Sequence, residues 1–368
     1  MDQHQSKYQK IKAYEKKTNK KYDKRKKITI YKELKIKNPN ISLIVPTVNY
    51  TEYPDENLQP LSGRSNSKTI TCNENGYYSL IESDRYGFNN PDKEWNQNEI
   101  EYFLTGDSFT FGACLNRPHD LGSVLRNLTG KSVLNLGYIG NGPLAEYAIL
   151  REYLNIKVKN ILWIYYEDND LYDLQISLKS KFLNNYLLDK NFKQNLKERQ
   201  NEINKLTNDR IEKTITYLDS RRKRNTILKF IRLDKTKKNF QKILSPSKKL
   251  KFNKDKTNDV FISFKKILNT SKELAEDNGA NFYFIYLPSY QSSTEENLDK
   301  DMNQRSKVLS IVNELDIDLI DIKKIMLEKK INYQELFACE TCHFTIEGYN
   351  LIAHMIYKKI LKNEYSKN

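Results

Sequence analysis

The chain has 368 residues, 38% of them hydrophobic and 11% aromatic, and carries 62 Lys/Arg against 47 Asp/Glu for a net charge of +15. Such a length holds one large or two modest domains with an ample core, and the aromatic content excludes a disordered chain. No apolar run reaches the ~18 residues of a membrane-spanning helix, and the first 30 residues show no signal-peptide apolar region, so a cytoplasmic location is expected.

The charge is uneven. Residues 1–38 carry +10 and residues 178–258 carry +16, leaving −11 for the rest. Two basic regions are a possible anionic-surface contact, although charge runs are more often solvated faces. No aromatic–basic interleaving of the RNA-binding kind appears, so nucleic acid is not an expected partner.

In chain order, residues 1–38 are basic and helix-forming without a clear apolar face, and read as an exposed helix or arm. Residues 41–46 predict a short edge strand stopped by Pro46. Residues 50–70 read as loop, and residues 70–92 as a small β-structured flap. From residue 100 strands and helices alternate, the pattern of a parallel sheet. Strands are expected at 100–105, 131–137, 160–167, 281–287 and 317–322. Helices are expected at 118–128, 143–154, 260–277, 297–314 and 348–362. Residues 172–258 are too long for a simple crossover: 172–233 read as helical and 234–258, with Ser245-Pro246-Ser247, as a Lys-rich loop. The expected fold is α/β, a three-layer sandwich around a five-stranded, mainly parallel, flavodoxin-like sheet. A basic N-terminal extension (1–69) precedes the main domain (70–368), and the main domain contains the helical insertion 172–258.

Four stations fall at strand ends, where ligands of open α/β sheets bind. Gly106-Asp107-Ser108 follows the first main strand and presents a serine hydroxyl on a tight turn, the geometry a nucleophile needs. Taken alone, it is equally a strand-to-helix turn capped by Asp107 or Ser108. Asn135-Leu-Gly137-Tyr-Ile-Gly140 follows the second strand, and a glycine there lets a backbone N–H approach an anion. Glu167-Asp168-Asn169-Asp170 follows the third, and Asn169 can donate to a developing oxyanion or close an Asx-turn. Glu340-Thr-Cys-His343 precedes the last helix. There a carboxylate three residues before a histidine can orient the ring while the ring takes a serine proton.

In this order the four stations resemble the blocks of the SGNH (GDSL-like) hydrolase superfamily over roughly residues 70–362. The blocks are Gly106–Gly112, Asn135–Pro143, Glu167–Asp170 and His343–Tyr349. They look most like bacterial members associated with surface-polysaccharide genes. The resemblance implies Ser108 as nucleophile, His343 as general base, and an oxyanion hole from the Ser108 and Gly137 N–H groups and the Asn169 side chain, with Asp107 and Asp170 supporting. It implies a serine esterase acting through an acyl-enzyme on an acylated carbohydrate or similar small-molecule or polysaccharide ester, with no metal and no cofactor. An O-acyltransferase, or a non-catalytic binding protein on the same fold, remains the alternative. Two positions depart from the pattern: Glu340 stands where Asp is usual, and Asp168 where Gly is usual, a substitution that matters if the turn needs positive φ.

Cys339-Glu-Thr-Cys342-His343 also reads as a CxxCH haem-attachment pattern or half of a zinc site. The haem reading needs export, and the zinc reading needs more ligands than the chain's four cysteines and four histidines readily gather. Reduced thiols, or a disulfide beside the site, fit the surrounding α/β pattern better.

Overall fold

In the computed structural model, residues 11, 12, 14–16, 18–47, 57–230, 257–291 and 298–367 are described. The expected Lys-rich loop around Ser245-Pro246-Ser247 lies outside them. Among the described residues there are two sheets. The smaller has three strands in the order β1 (Ile41–Leu43), β2 (Lys68–Ile70), β3 (Leu80–Glu82), with β1–β2 parallel and β2–β3 antiparallel. Its strands come from either side of residue 69.

The larger sheet is built from β4 (Glu99–Gly106), β5 (Val133–Asn135), β6 (Lys157–Tyr166), β7 (Asn281–Leu287) and β8 (Asp318–Asp321). Its order is β5-β4-β6-β7-β8, and every neighbouring pair is parallel. The chain steps from β4 to β5 on one side and then to β6 on the other. That makes the carboxyl end of β4 the topological switch point, the place where open α/β sheets bind their ligands.

Alternation along each strand builds the core. On β6, Ile161, Trp163 and Tyr165 enter one buried cluster, with Phe103, Phe284 and the helix Pro143–Tyr153. Leu162, Ile164 and Tyr166 enter the other, with Leu104, Ile285 and the helix Ile346–Lys367. Successive side chains of a strand point to opposite faces, and a parallel strand covered on both faces must be apolar throughout. This explains why β6 and β7 read as continuous apolar runs rather than alternating ones.

Among the described residues the insertion region supplies the helices Asp170–Ser177, Lys181–Leu188 and Gln200–Phe230. Ile211 of the third packs with Ile30, Ile41, Leu43 and Ile70, so the insertion and the N-terminal stretch share a small apolar cluster. Residues 27–37 form a helix, but the stretch before it is not simply an exposed arm. Tyr22 Oη donates to Asn73 O at 2.7 Å, and Asp23 N to Gly76 O at 2.8 Å. The lysines face water while the tyrosine and the aspartate backbone grip the β2–β3 loop. Composition registers the former and hides the latter. Among the described residues no helix is long and apolar enough to cross a membrane.

Candidate active site

The strand β4 ends at Gly106, where a Cβ would lie 2.1 Å from Thr110 Oγ1 and 2.7 Å from Ile164 O. The chain turns inside that space. Asp107 caps the short helix Ser108–Phe111 by accepting the Phe109 N–H at 2.8 Å, and Gly112 closes it at φ +76°. Gly106→Ala is therefore expected to cost about 1–3 kcal/mol of unfolding free energy in urea titrations, since over-packing has no slack here.

Ser108 Oγ lies 2.9 Å from His343 Nε2. The ring is held on its other side by Glu74: Oε2 is 3.1 Å from Nδ1 and also accepts the His343 backbone N–H at 2.7 Å. One carboxylate oxygen thus fixes both ring and backbone. The side chains of His343 and Glu74 are 18% and 13% exposed, so the pair is partly shielded and still reachable from solvent. Phe109 packs on the imidazole at 4.8 Å and stacks on Tyr166 at 3.7 Å, giving the ring a dry wall.

The carboxylate expected on His343 was that of Glu340. The structure places Glu340 at an exposed position of the Cys339–Cys342 turn, and Glu74 takes the ring nitrogen. The reason is local. Cys342 N bonds to Cys339 O at 3.0 Å and the two cysteines form a disulfide, so the residues between them form a tight outward turn. A second disulfide, Cys72–Cys114, ties the start of the Glu74 loop to the segment after the helix Ser108–Phe111. Among the described residues no cysteine is free. Cys339 and Cys342 thus bond to each other, and both nitrogens of His343 are engaged by Ser108 and Glu74.

The second station runs alongside β4, with Leu136 N bonded to Leu104 O at 2.8 Å and Tyr138 N to Gly106 O at 3.1 Å. This brings Gly137 against the helix Ser108–Phe111, where a Cβ would meet Thr110 Cβ at 2.4 Å. Its N–H, however, donates to Asn135 Oδ1 at 3.0 Å, so Gly137 serves packing and has no donor to spare. Three residues on, Gly140 sits in a left-handed turn at φ +80°. No carbonyl or side chain among the described residues takes the N–H of Gly140 or of Ser108. The turn around Gly140 is pinned by Thr47, whose N–H donates to Ile139 O at 3.0 Å and whose hydroxyl donates to Asn141 Oδ1 at 2.8 Å.

At the third station the residues divide their work. Glu167 pairs with Lys323 at 2.8 Å and accepts the Ser289 N–H at 3.0 Å, joining the ends of β6 and β7. Asp168 is exposed and is not among the positive-φ residues, so the turn does not need glycine there. Asp170 accepts the Tyr166 N–H at 2.9 Å and closes the turn. Asn169 donates both amide hydrogens, to Asp107 Oδ2 at 3.2 Å and to Asp173 Oδ2 at 2.7 Å. It faces the nucleophile turn, yet its donors are spent on carboxylates.

Those carboxylates lie deep. Burial raises Asp107, against the opposing pull of the Phe109 N–H and the His343 charge. Burial and then the neighbouring acid charges raise Asp170 and Glu146 well above the carboxylate range, and neither Glu146 oxygen has a hydrogen-bond partner. Burial, and then the Asp107 charge, raise Asp173 to about 7. The folded chain thus keeps a proton on Asp173 that the unfolded chain releases near pH 4. Stability from this group is full below about pH 4 and is lost as pH rises towards 7. Asp173→Asn should remove that slope. Its melting temperature relative to wild type should climb between pH 4 and 7, by roughly 5 °C or more, and then level off. A constant difference across that range would count against the assignment.

No family model and no curated protein matches the chain. Among solved structures it is similar to a member of the lipolytic protein G-D-S-L family from Veillonella parvula, at 13% identity over 70% of this chain and 96% of that one, with a TM-score of 0.39. A lipase/acylhydrolase from Enterococcus faecalis aligns at 15% identity over 71% and 95%, with a TM-score of 0.37. A catalytic mutant of an acetylxylan esterase from Geobacillus stearothermophilus aligns at 11% over 71% and 94%, with a TM-score of 0.39. With scores this low neither substrate nor chemistry carries across, and what the site can do rests on its own contacts.

Glu74 is the functional candidate that the sequence hides. It lies 269 residues from His343, in a polar turn of the β-structured flap, with no motif around it. The cysteine two residues before it is the one available hint, and four cysteines admit three pairings.

Proposed function

We propose that the chain is a serine esterase working through an acyl-enzyme, with Ser108, His343 and Glu74 as nucleophile, base and acid. The observation that carries this is the unbroken line from Ser108 Oγ through His343 Nε2 and Nδ1 to Glu74 Oε2, with spacings of 2.9 and 3.1 Å. The Ser108 hydroxyl attacks the acyl carbonyl as its proton passes to Nε2. Glu74 keeps the remaining ring proton on Nδ1 and stabilises the imidazolium that forms. The tetrahedral oxyanion then needs preorganised donors. The N–H groups of Ser108 and Gly140, which no described residue takes, suit that role better than that of Gly137. Asn169 joins them when one of its two carboxylate contacts yields.

Collapse expels the alcohol, which takes the proton from His343. A water or sugar hydroxyl then attacks the acyl group, giving up its proton to the same nitrogen. The substrate class we assign, an acylated carbohydrate or similar ester, rests on the sequence resemblance. Transfer to a sugar instead of water uses the same steps with a different acceptor. The two disulfides suit an oxidising compartment better than the reducing cytosol expected from the sequence.

The test is rapid mixing with p-nitrophenyl acetate, followed by acetylated oligosaccharides analysed for free acetate and for re-acylated sugar. A burst of one nitrophenolate per active chain, then slower turnover, is expected for an acyl-enzyme. Neither burst nor acetate release from any acyl ester, with folded protein, would overturn the proposal.

A further inference from the structure

We propose that the Cys72–Cys114 disulfide masks a zinc site which, in the reduced chain, captures His343 and silences the esterase. The two cysteine sulfurs and a ring nitrogen of His343 all lie within 4.8 Å of one another. Cys114 Sγ is 3.7 Å from Nδ1, and Glu74 Oε2 is 3.1 Å from the same nitrogen. In a tetrahedral zinc site with metal–sulfur and metal–nitrogen bonds of about 2.3 and 2.0 Å, the sulfur–nitrogen edge is about 3.5 Å and the nitrogen–oxygen edge about 3.3 Å. Both spacings are already present, and once the sulfur–sulfur bond is gone, side-chain rotation is enough to separate the sulfurs. Two thiolates and an imidazole with a neighbouring carboxylate form a donor set that favours zinc over harder ions. The fourth position falls to Glu74 or to water.

The chemistry balances with a dithiol reductant. Two electrons from the dithiol convert the Cys72–Cys114 bond into two thiols, and the dithiol leaves as its own disulfide. Zinc binding then releases two protons, one from each thiol. A metal on Nδ1 requires the ring proton to sit on Nε2, where it faces Ser108 Oγ. His343 then has no lone pair left to accept the serine proton, and Glu74 is displaced from Nδ1. This consequence rests on the reading of Ser108 and His343 as nucleophile and base, whereas the zinc site itself does not. A chain of this kind stays silent in a reducing compartment that contains zinc, and gains activity when an oxidant removes the two thiols as ligands.

The experiment uses full-length Cys339→Ser/Cys342→Ser protein, so that no second thiol pair competes, reduced with a phosphine and titrated with cobalt(II) as a spectroscopic stand-in and then with zinc. We expect one equivalent of cobalt, with tetrahedral ligand-field bands and thiolate-to-cobalt charge transfer, displaced by zinc. The signal should be absent in unreduced protein and in the further Cys114→Ser variant. Zinc should lower esterase turnover of the reduced protein at least 100-fold, with recovery on chelation. A folded reduced protein with no tetrahedral cobalt spectrum, or the same spectrum in the Cys114→Ser variant, would overturn the site. A bound metal that leaves turnover unchanged would overturn the silencing. A normal cobalt spectrum on a protein with no esterase activity in any redox state would refute the esterase reading and leave the site standing.

Discussion

Treated with a fluorophosphonate, the wild-type chain should gain the mass of one phosphonyl group, and Ser108→Ala should gain none. His343→Ala should react far more slowly, and its kcat on any acyl ester should fall by about 10⁴–10⁶. The size of the effect follows from the geometry. Serine at its ordinary pKa is a poor nucleophile, and Nε2 at 2.9 Å is the base aligned with its hydroxyl. The next neighbour, Asp107 Oδ2, is 3.5 Å away, spans an adjacent-residue contact and is already engaged by Asn169. It cannot serve as a substitute base. Intact-mass spectra of the three proteins decide the matter. An adduct on Ser108→Ala would place the nucleophile elsewhere, and no adduct on folded wild type would remove the serine mechanism.

Periodicity made the main sheet legible. The strands Glu99–Gly106 and Asn281–Leu287 fall within a residue or so of their expected bounds, because a strand buried on both faces leaves an uninterrupted apolar run between turn residues. Gly106 was legible because the turn leaves no room for a Cβ, whereas Ser108, Asn169 and His343 stood out through the order of the four resembling blocks, no one of which is specific by itself. The glycine choice at the second station was not legible. Gly137 and Gly140 look alike in sequence. Only the Asn135 side chain, folded back on the Gly137 N–H, tells a packing glycine from one with a donor to offer. The role of residues 18–47 was equally hidden. Tyr22, Asp23 and Thr47 act through single hydrogen bonds to loops many residues away, and such contacts leave no mark on composition. The sequence brought Ser108 and His343 forward as candidates, and the structure places them together; the supports from the N-terminal stretch appear only in three dimensions.

The carboxylate on His343 is where local reading and tertiary structure diverge, and substitution there should be nearly as damaging as at the histidine. Glu74→Ala is expected to lower kcat by about 10⁴-fold with a much smaller change in KM. Removing the carboxylate frees the ring to adopt the wrong tautomer and leaves the imidazolium of the transition state without a counter-charge. It also removes the acceptor of the His343 backbone N–H, so the loop that carries the base loses a tether at the same moment. Glu74→Gln separates these effects. Its amide oxygen can still accept the backbone N–H, so the tether survives, but the charge is lost and the amide N–H can impose the wrong ring tautomer, so kcat should again fall by about 10⁴-fold. Glu340→Ala, at an exposed turn position, should stay within about twofold of wild type. Steady-state kinetics on one activated ester, with His343→Ala as the floor, separates the two acids. If Glu340→Ala falls to the level predicted for Glu74→Ala while Glu74→Ala stays near wild type, the acid lies three residues before the histidine after all. The Glu74 contact would then be a tether of the backbone alone.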